Sequence, residues 1–100
     1  MAAVFASEAR VATALAQRYM TQLCKHFEHR LPARYTVADG SIEFVNGVCR
    51  LAVPEPELLV LRAEAADEAA LGQLEGTIAR HLERFAFRDK PAIDWHRAAA

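Results

Sequence analysis

One hundred residues are enough for one domain with one core, and although 53% are hydrophobic, alanine alone supplies 21 of them, so the larger apolar side chains must be placed economically. The 12 basic and 13 acidic side chains leave a net charge of −1, which argues against nucleic acid as a dominant partner. No apolar run approaches the roughly 18–20 residues that cross a bilayer, and Met1–Arg10 lacks the basic region and apolar stretch of a secretory signal.

Phe5 to Val11 alternates with period two, Phe5, Ser7, Ala9 and Val11 on one side, which allows a short strand. Thr13 is the expected N-cap of a first helix over Ala14–Arg30. There Leu15, Tyr19, Leu23 and Phe27 form an apolar stripe with Ala12, Ala16 and Met20 beside it, while Arg18, Thr21, Gln22, Lys25 and Glu28 take the opposite side. Pro32 ends this helix.

A meander follows. Arg34–Val37 is a strand candidate closed by the turn Ala38-Asp39-Gly40, and Ser41–Val45 alternates with Ile42 and Phe44 on one face. Asn46-Gly47 reads as a type I′ hairpin loop, because both residues tolerate positive φ. The register then pairs Phe44 with Cys49, Ile42 with Leu51, and Glu43 with Arg50 as a cross-strand ion pair. Cys49 faces the core in this reading. Pro54 and Pro56 break the next connection, and the apolar run in Glu57–Ala63 suggests a central or doubly covered strand.

The second helix is expected over Asp67–Arg88, with Leu71, Leu74, Ile78, Leu82 and Phe85 as its apolar stripe. Gly72 and Gly76 cost about 1 kcal/mol each relative to alanine and would permit close approach of another element. Pro91 stops the helix, Ile93-Asp94-Trp95 packs back on the domain with Phe87 against Trp95, and residues 97–100 form a frayed end to a core over 5–96. The expected architecture is α+β: a four-stranded antiparallel sheet with two helices on one face, in the order β-α-β-β-β-α. The other sheet face would meet water or a second subunit.

The chemistry-bearing residues are histidines. At 100° per residue His26 lies about 20° from Leu15, within the apolar face, and His29 lies on its border. Cys24 falls opposite Leu15 and so cannot share a ligand with His26. His81 borders the stripe of the second helix, so His26 and His81 can converge at the helix–helix seam. His26, His29 and His81 are therefore candidate ligands of a divalent transition metal. The competing reading has these histidines packed in the seam and hydrogen-bonded to backbone or to Glu75, an acidic residue on the apolar side that needs a partner. Arg80, Arg84 and Arg88 recur every fourth residue as a solvated face able to meet an anion. Cys24 and Cys49 form no CxxC pair and read as two reduced thiols of a cytoplasmic protein. No Gly-rich phosphate loop, GxSxG or HExxH motif is present, which argues for binding over catalysis.

Gln22-Leu23-Cys24-Lys25-His26-Phe27-Glu28-His29, then His81-Leu82-Glu83-Arg84-Phe85-Ala86-Phe87-Arg88 and Trp95, resemble a bacterial family catalogued as domain of unknown function 2218, over Ser7 to Trp95. The resemblance implies a small cytoplasmic protein with a TATA-binding-protein-like α+β fold. Similar domains are joined to siderophore-interacting flavoproteins, which implies a link to iron handling and such a flavoprotein as partner. It also marks His26, His29, His81, Arg84 and Phe85 as candidate positions. The leading expectation is a binding domain accessory to iron or siderophore metabolism, its histidine seam holding a metal or an acidic ligand and Glu75, Arg84 and Phe85 beside it. The alternative is a structural module that dimerises through the open sheet face, with no nucleic-acid or membrane partner.

Overall fold

The computed structural model describes residues 4–97. The elements are β1 (Phe5–Ala12), α1 (Ala16–Phe27), β2 (Ala33–Tyr35), β3 (Asp39–Phe44), β4 (Gly47–Glu55), β5 (Leu58–Ala65), α2 (Glu68–Phe85) and β6 (Trp95–Arg97). The strands form one sheet in the order β2-β3-β4-β5-β1-β6, antiparallel at every pairing. The expected α+β class with two helices and an antiparallel sheet is present. The sheet has six strands, however, and the four-stranded order is corrected. Strand β2 begins one residue before the Arg34–Val37 candidate, whereas β6 was not expected; each has three residues, too few to display a period of two, and they pair with β3 and β1. Arg97, expected in the frayed end, is the last residue of β6, and residues 98–100 lie outside the described part.

The core lies between the sheet and the helices. Strand β5 contributes Leu59, Leu61, Ala63 and Ala65, β1 contributes Ala9 and Val11, and the hairpin contributes Ile42, Cys49 and Leu51. Helix α1 packs over β2 to β5, and α2 over β5, β1 and β4. Strand β5 is central, as its apolar run suggested, but helices cover only one of its faces; Leu58, Val60, Arg62 and Glu64 alternate on the other.

Three local expectations are corrected. First, the hairpin loop is Val45-Asn46, with Phe44 opposite Gly47, Ile42 opposite Cys49 and Ser41 opposite Arg50. The register is displaced by two residues. Because side chains alternate with period two, Ile42, Phe44, Cys49 and Leu51 still share the core face, but Glu43 faces Val48. Arg50 pairs instead with Glu64 of β5, Nε to Oε1 at 3.2 Å. Gly47 serves a close approach: a Cβ there would strike the Glu64 carbonyl oxygen and come within 2.6 Å of Leu74 Cδ1. Asn46 donates to the Gln73 side chain on α2 at 3.1 Å, which ties the hairpin tip to the helix layer. Second, Pro54 does not end its strand; β4 continues to Glu55 through a register shift between Ala52 and Glu55, the kind of irregularity that accommodates proline. Similarly, Asp39 and Gly40 open β3 instead of forming a turn.

Third, the wheel of α1 is rotated. Leu15 occupies the N-cap position and is 41% exposed, whereas Ala16, Tyr19, Met20, Leu23 and Cys24 are buried. The buried arc is centred a quarter turn from Leu15, so Cys24 lies inside it. Burial, and then Glu28, push the Cys24 thiol up to about 11. Burial, with Cys24 the next cause, also raises Cys49. Thr13 is not the cap residue itself, but its hydroxyl accepts from the Leu15 N–H at 3.1 Å and so closes the helix entrance. At α2 the Asp67 carboxylate accepts from the Ala70 N–H at 2.7 Å, the arrangement its residue type favours. Gly72 proves not to serve a tight approach: an added Cβ would meet only the Arg97 guanidinium at 3.6 Å.

Candidate functional site at the helix seam

The helices run antiparallel. Tyr19 on α1 lies by Asp89, just beyond α2, with its hydroxyl donating to Asp89 Oδ2 at 3.5 Å. Further along, the rings of His26 and His81 approach to 4.8 Å between centroids with planes inclined at 49°. The convergence follows from the placement of each histidine on the flank of its helix that adjoins the other.

Aromatic rings build the surroundings. Phe27 stands 5.0 Å from His26 and 4.8 Å from His81, edge-on and tilted respectively. Phe85 meets His26 edge-on at 5.8 Å, and Phe44 on β3 backs Phe27 at 5.0 Å. The hairpin thus supports the seam from beneath, and ring pairs of this geometry are favourable beyond the area they bury.

The two imidazoles differ. His81 is half-buried, and its Nδ1 lies 2.7 Å from the Thr77 carbonyl oxygen. A carbonyl only accepts, so Nδ1 carries the hydrogen and the neutral ring keeps Nε2 as a free acceptor. His26 is exposed at the rim. Its ionisation is held below the ordinary imidazole value of 6.5, first by desolvation and then by His81, Arg84, His29 and Arg30. Every charged neighbour that shifts His26 is cationic or becomes so on protonation. Among the described residues, Arg30 and Arg84 have no carboxylate within 4.0 Å.

Of the sequence candidates, His26, His81, Phe85 and Arg84 come together here. His29 is exposed one turn on and bears on the pair only through its charge. Among the described residues, no group of three or more His, Cys, Asp or Glu side chains is placed to hold a metal ion. Glu75 is elsewhere: it is paired with Arg97 of β6, 3.4 Å to Nε and to Nη2. Phe87, expected against Trp95, is 62% exposed, with the Arg88 guanidinium 5.5 Å from its ring centroid. Phe44 and Gln22 were not among the sequence candidates. Gln22 was assigned to the solvent side, yet its Oε1 is buried without a hydrogen-bond partner. The signal for it was its spacing, one turn before His26 on the same flank.

Fold and site together define a two-layer α+β domain with an imidazole pair set among aromatic rings at its helix seam. The family model described as "uncharacterized protein conserved in bacteria (DUF2218)" matches residues 8–96, and the chain belongs to that family. The chain is also similar to PA4090 from Pseudomonas aeruginosa, known by NMR, at 32% identity and a TM-score of 0.78 over 92% of this chain and 95% of that one. No curated protein matches.

Proposed function

We propose that this single domain acts by binding, and that the seam formed by His26, His81, Arg84 and Phe85 takes an acidic small ligand. The observation that carries this reading is the cationic surrounding of the exposed His26: after desolvation, His81, Arg84, His29 and Arg30 lower its ionisation, and Arg30 and Arg84 have no carboxylate within 4.0 Å among the described residues, so an anion completes the charge balance of the site. The unpartnered Gln22 Oε1 on the same flank offers a further polar contact. Catalysis through a thiol is disfavoured because Cys24 and Cys49 are both buried.

Through the family resemblance, the ligand would belong to iron or siderophore metabolism in the cytoplasm, an anionic metal chelate being the chemistry that fits, with a siderophore-related flavoprotein as its source. The order of strand, helix, four strands and helix, before the short β6, supports the TATA-binding-protein-like kinship. A two-histidine metal site and a sheet-face homodimer are the competing readings. Citrate is a suitable probe. Titrated against the ring resonances of the histidines by NMR, it is expected to shift His26 and His81, and the His26→Gln and His81→Gln variants are expected to weaken binding while remaining folded. Nickel binding more tightly than citrate at the same rings, or citrate leaving both rings unmoved at millimolar concentration, would overturn this reading.

A further inference from the structure

The sheet face away from the helices carries a second set of charges. One transverse row crosses all six strands: Arg34 on β2 faces Ser41 on β3, Ser41 faces Arg50 on β4, Arg50 faces Arg62 on β5, Arg62 faces Glu8 on β1, and Glu8 faces His96 on β6. Three of the six residues are arginines, and Arg34 and Arg50 flank Ser41 symmetrically. With strands about 4.8 Å apart, the two arginine backbones stand about 10 Å from each other, and both side chains are long enough to meet above the serine.

Arg50 is paired only through its Nε, and Arg34 has no carboxylate within 4.0 Å among the described residues. Glu64 sits between Arg50 and Arg62 and takes the Nε of each, 3.2 Å to Oε1 and 3.0 Å to Oε2. One carboxylate therefore orients two guanidiniums while leaving their terminal nitrogens available, and, against burial that would raise it, Arg62 and Arg50 in return hold the Glu64 carboxyl below its ordinary range. Arg34, Ser41, Arg50 and Thr36 line a common depression of ≈ 770 Å³. The carboxylate of Asp39 at its edge is turned to its own loop, where Oδ1 accepts from the Thr36 hydroxyl at 3.1 Å.

We infer that Arg34, Ser41 and Arg50 form a separate oxyanion site on the open sheet face, suited to the phosphoryl group of a small phosphomonoester. Two guanidiniums present planar forks of N–H donors to a dianion, and the Ser41 hydroxyl supplies a neutral donor between them. A small ligand is favoured over a nucleic-acid strand. The neighbouring outward positions Val48, Val60, Ala52, Glu43, Glu64 and Arg10 are not aromatic, Tyr35 at the depression packs against the core, and His96 stands at the far edge of the row, so bases would find no continuous stacking surface.

The test is an NMR titration with phenyl phosphate at constant ionic strength. Shifts are expected at Arg34, Ser41 and the Arg50 Nε–H, and Arg34→Gln and Arg50→Gln should each weaken binding about tenfold, the loss of a charge-assisted hydrogen bond. The His26→Gln/His81→Gln double variant should bind phenyl phosphate at the sheet face as the parent does, which separates this site from the seam. Shifts confined to the helix side, or a single-stranded oligonucleotide binding more tightly than phenyl phosphate across the same row, would overturn the inference. Unchanged affinity in a folded Arg34→Gln protein would do the same.

Discussion

Thr13 holds two ends of the structure together. Its hydroxyl accepts from the Leu15 N–H and donates to Asp89 Oδ2 at 2.5 Å, across 76 residues of chain. Tyr19 donates to the same oxygen, and burial, with Asp89 next, raises the Tyr19 ionisation, which keeps the donor protonated. Thr13→Val keeps the side chain's shape and deletes both bonds in a site that is 6% exposed. The expected loss is about 1–2 kcal/mol, read as a lower urea midpoint at unchanged m-value; an unmoved midpoint would show the link to be idle. Residue type pointed to Thr13 as a helix entrance residue, but its partner could not be found that way, because no local spacing connects residues 13 and 89. The same limit misplaced Cys24 and Gln22. Taking Leu15 as the centre of the apolar stripe turned the wheel by a quarter, since a leucine at a helix entrance remains exposed while the chain is still turning inward.

The β3–β4 hairpin separates what a sequence pattern can and cannot fix. Alternation assigned the core face correctly, because Ile42, Phe44, Cys49 and Leu51 keep their parity under a shift of two residues. The register itself was decided elsewhere. Gly47 sits between β3 and β5 where only a hydrogen fits, and Asn46 is engaged by Gln73 on α2. Long-range contacts thus outweighed the local preference of Asn-Gly for a two-residue loop. Gly47→Ala should cost about 1–3 kcal/mol, as overpacking against backbone does. Gly72→Ala, which would gain only an ordinary contact with Arg97, should raise stability by about 0.5–1 kcal/mol through helix propensity. Thermal melts of the two variants are expected to move in opposite directions. A destabilised Gly72→Ala protein would contradict the assignment of that glycine to an open stretch of α2. The edge strand β6 belongs to the same lesson: with three residues, it is too short to display a period of two.

The molecule places its two candidate sites on opposite sides of one sheet. The helix layer joins two imidazoles that are 55 residues apart in sequence, while the open face aligns arginines from three strands. The convergence of His26 and His81 was visible once both helices were put on one sheet face. The arginine row was not, because it depends on the register of every strand. Stability should report the seam as well. The folded chain binds the His26 proton less readily than the unfolded chain does. This residue's contribution is therefore full above about pH 6.5, the unperturbed imidazole range, and is lost as the pH falls through the depressed folded value. Urea denaturation at pH 7.5 and pH 5 should show a smaller drop for His26→Gln than for the parent, and equal drops would remove His26 from the pH dependence.

The binding claim itself is tested by calorimetric titration of citrate at neutral pH in two buffers of different ionisation enthalpy. An anion beside His26 raises the ionisation that desolvation and then its cationic neighbours depress, so binding should take up protons from the buffer, and His26→Gln should abolish the uptake. Citrate binding without proton exchange, or no binding at all, would contradict the account.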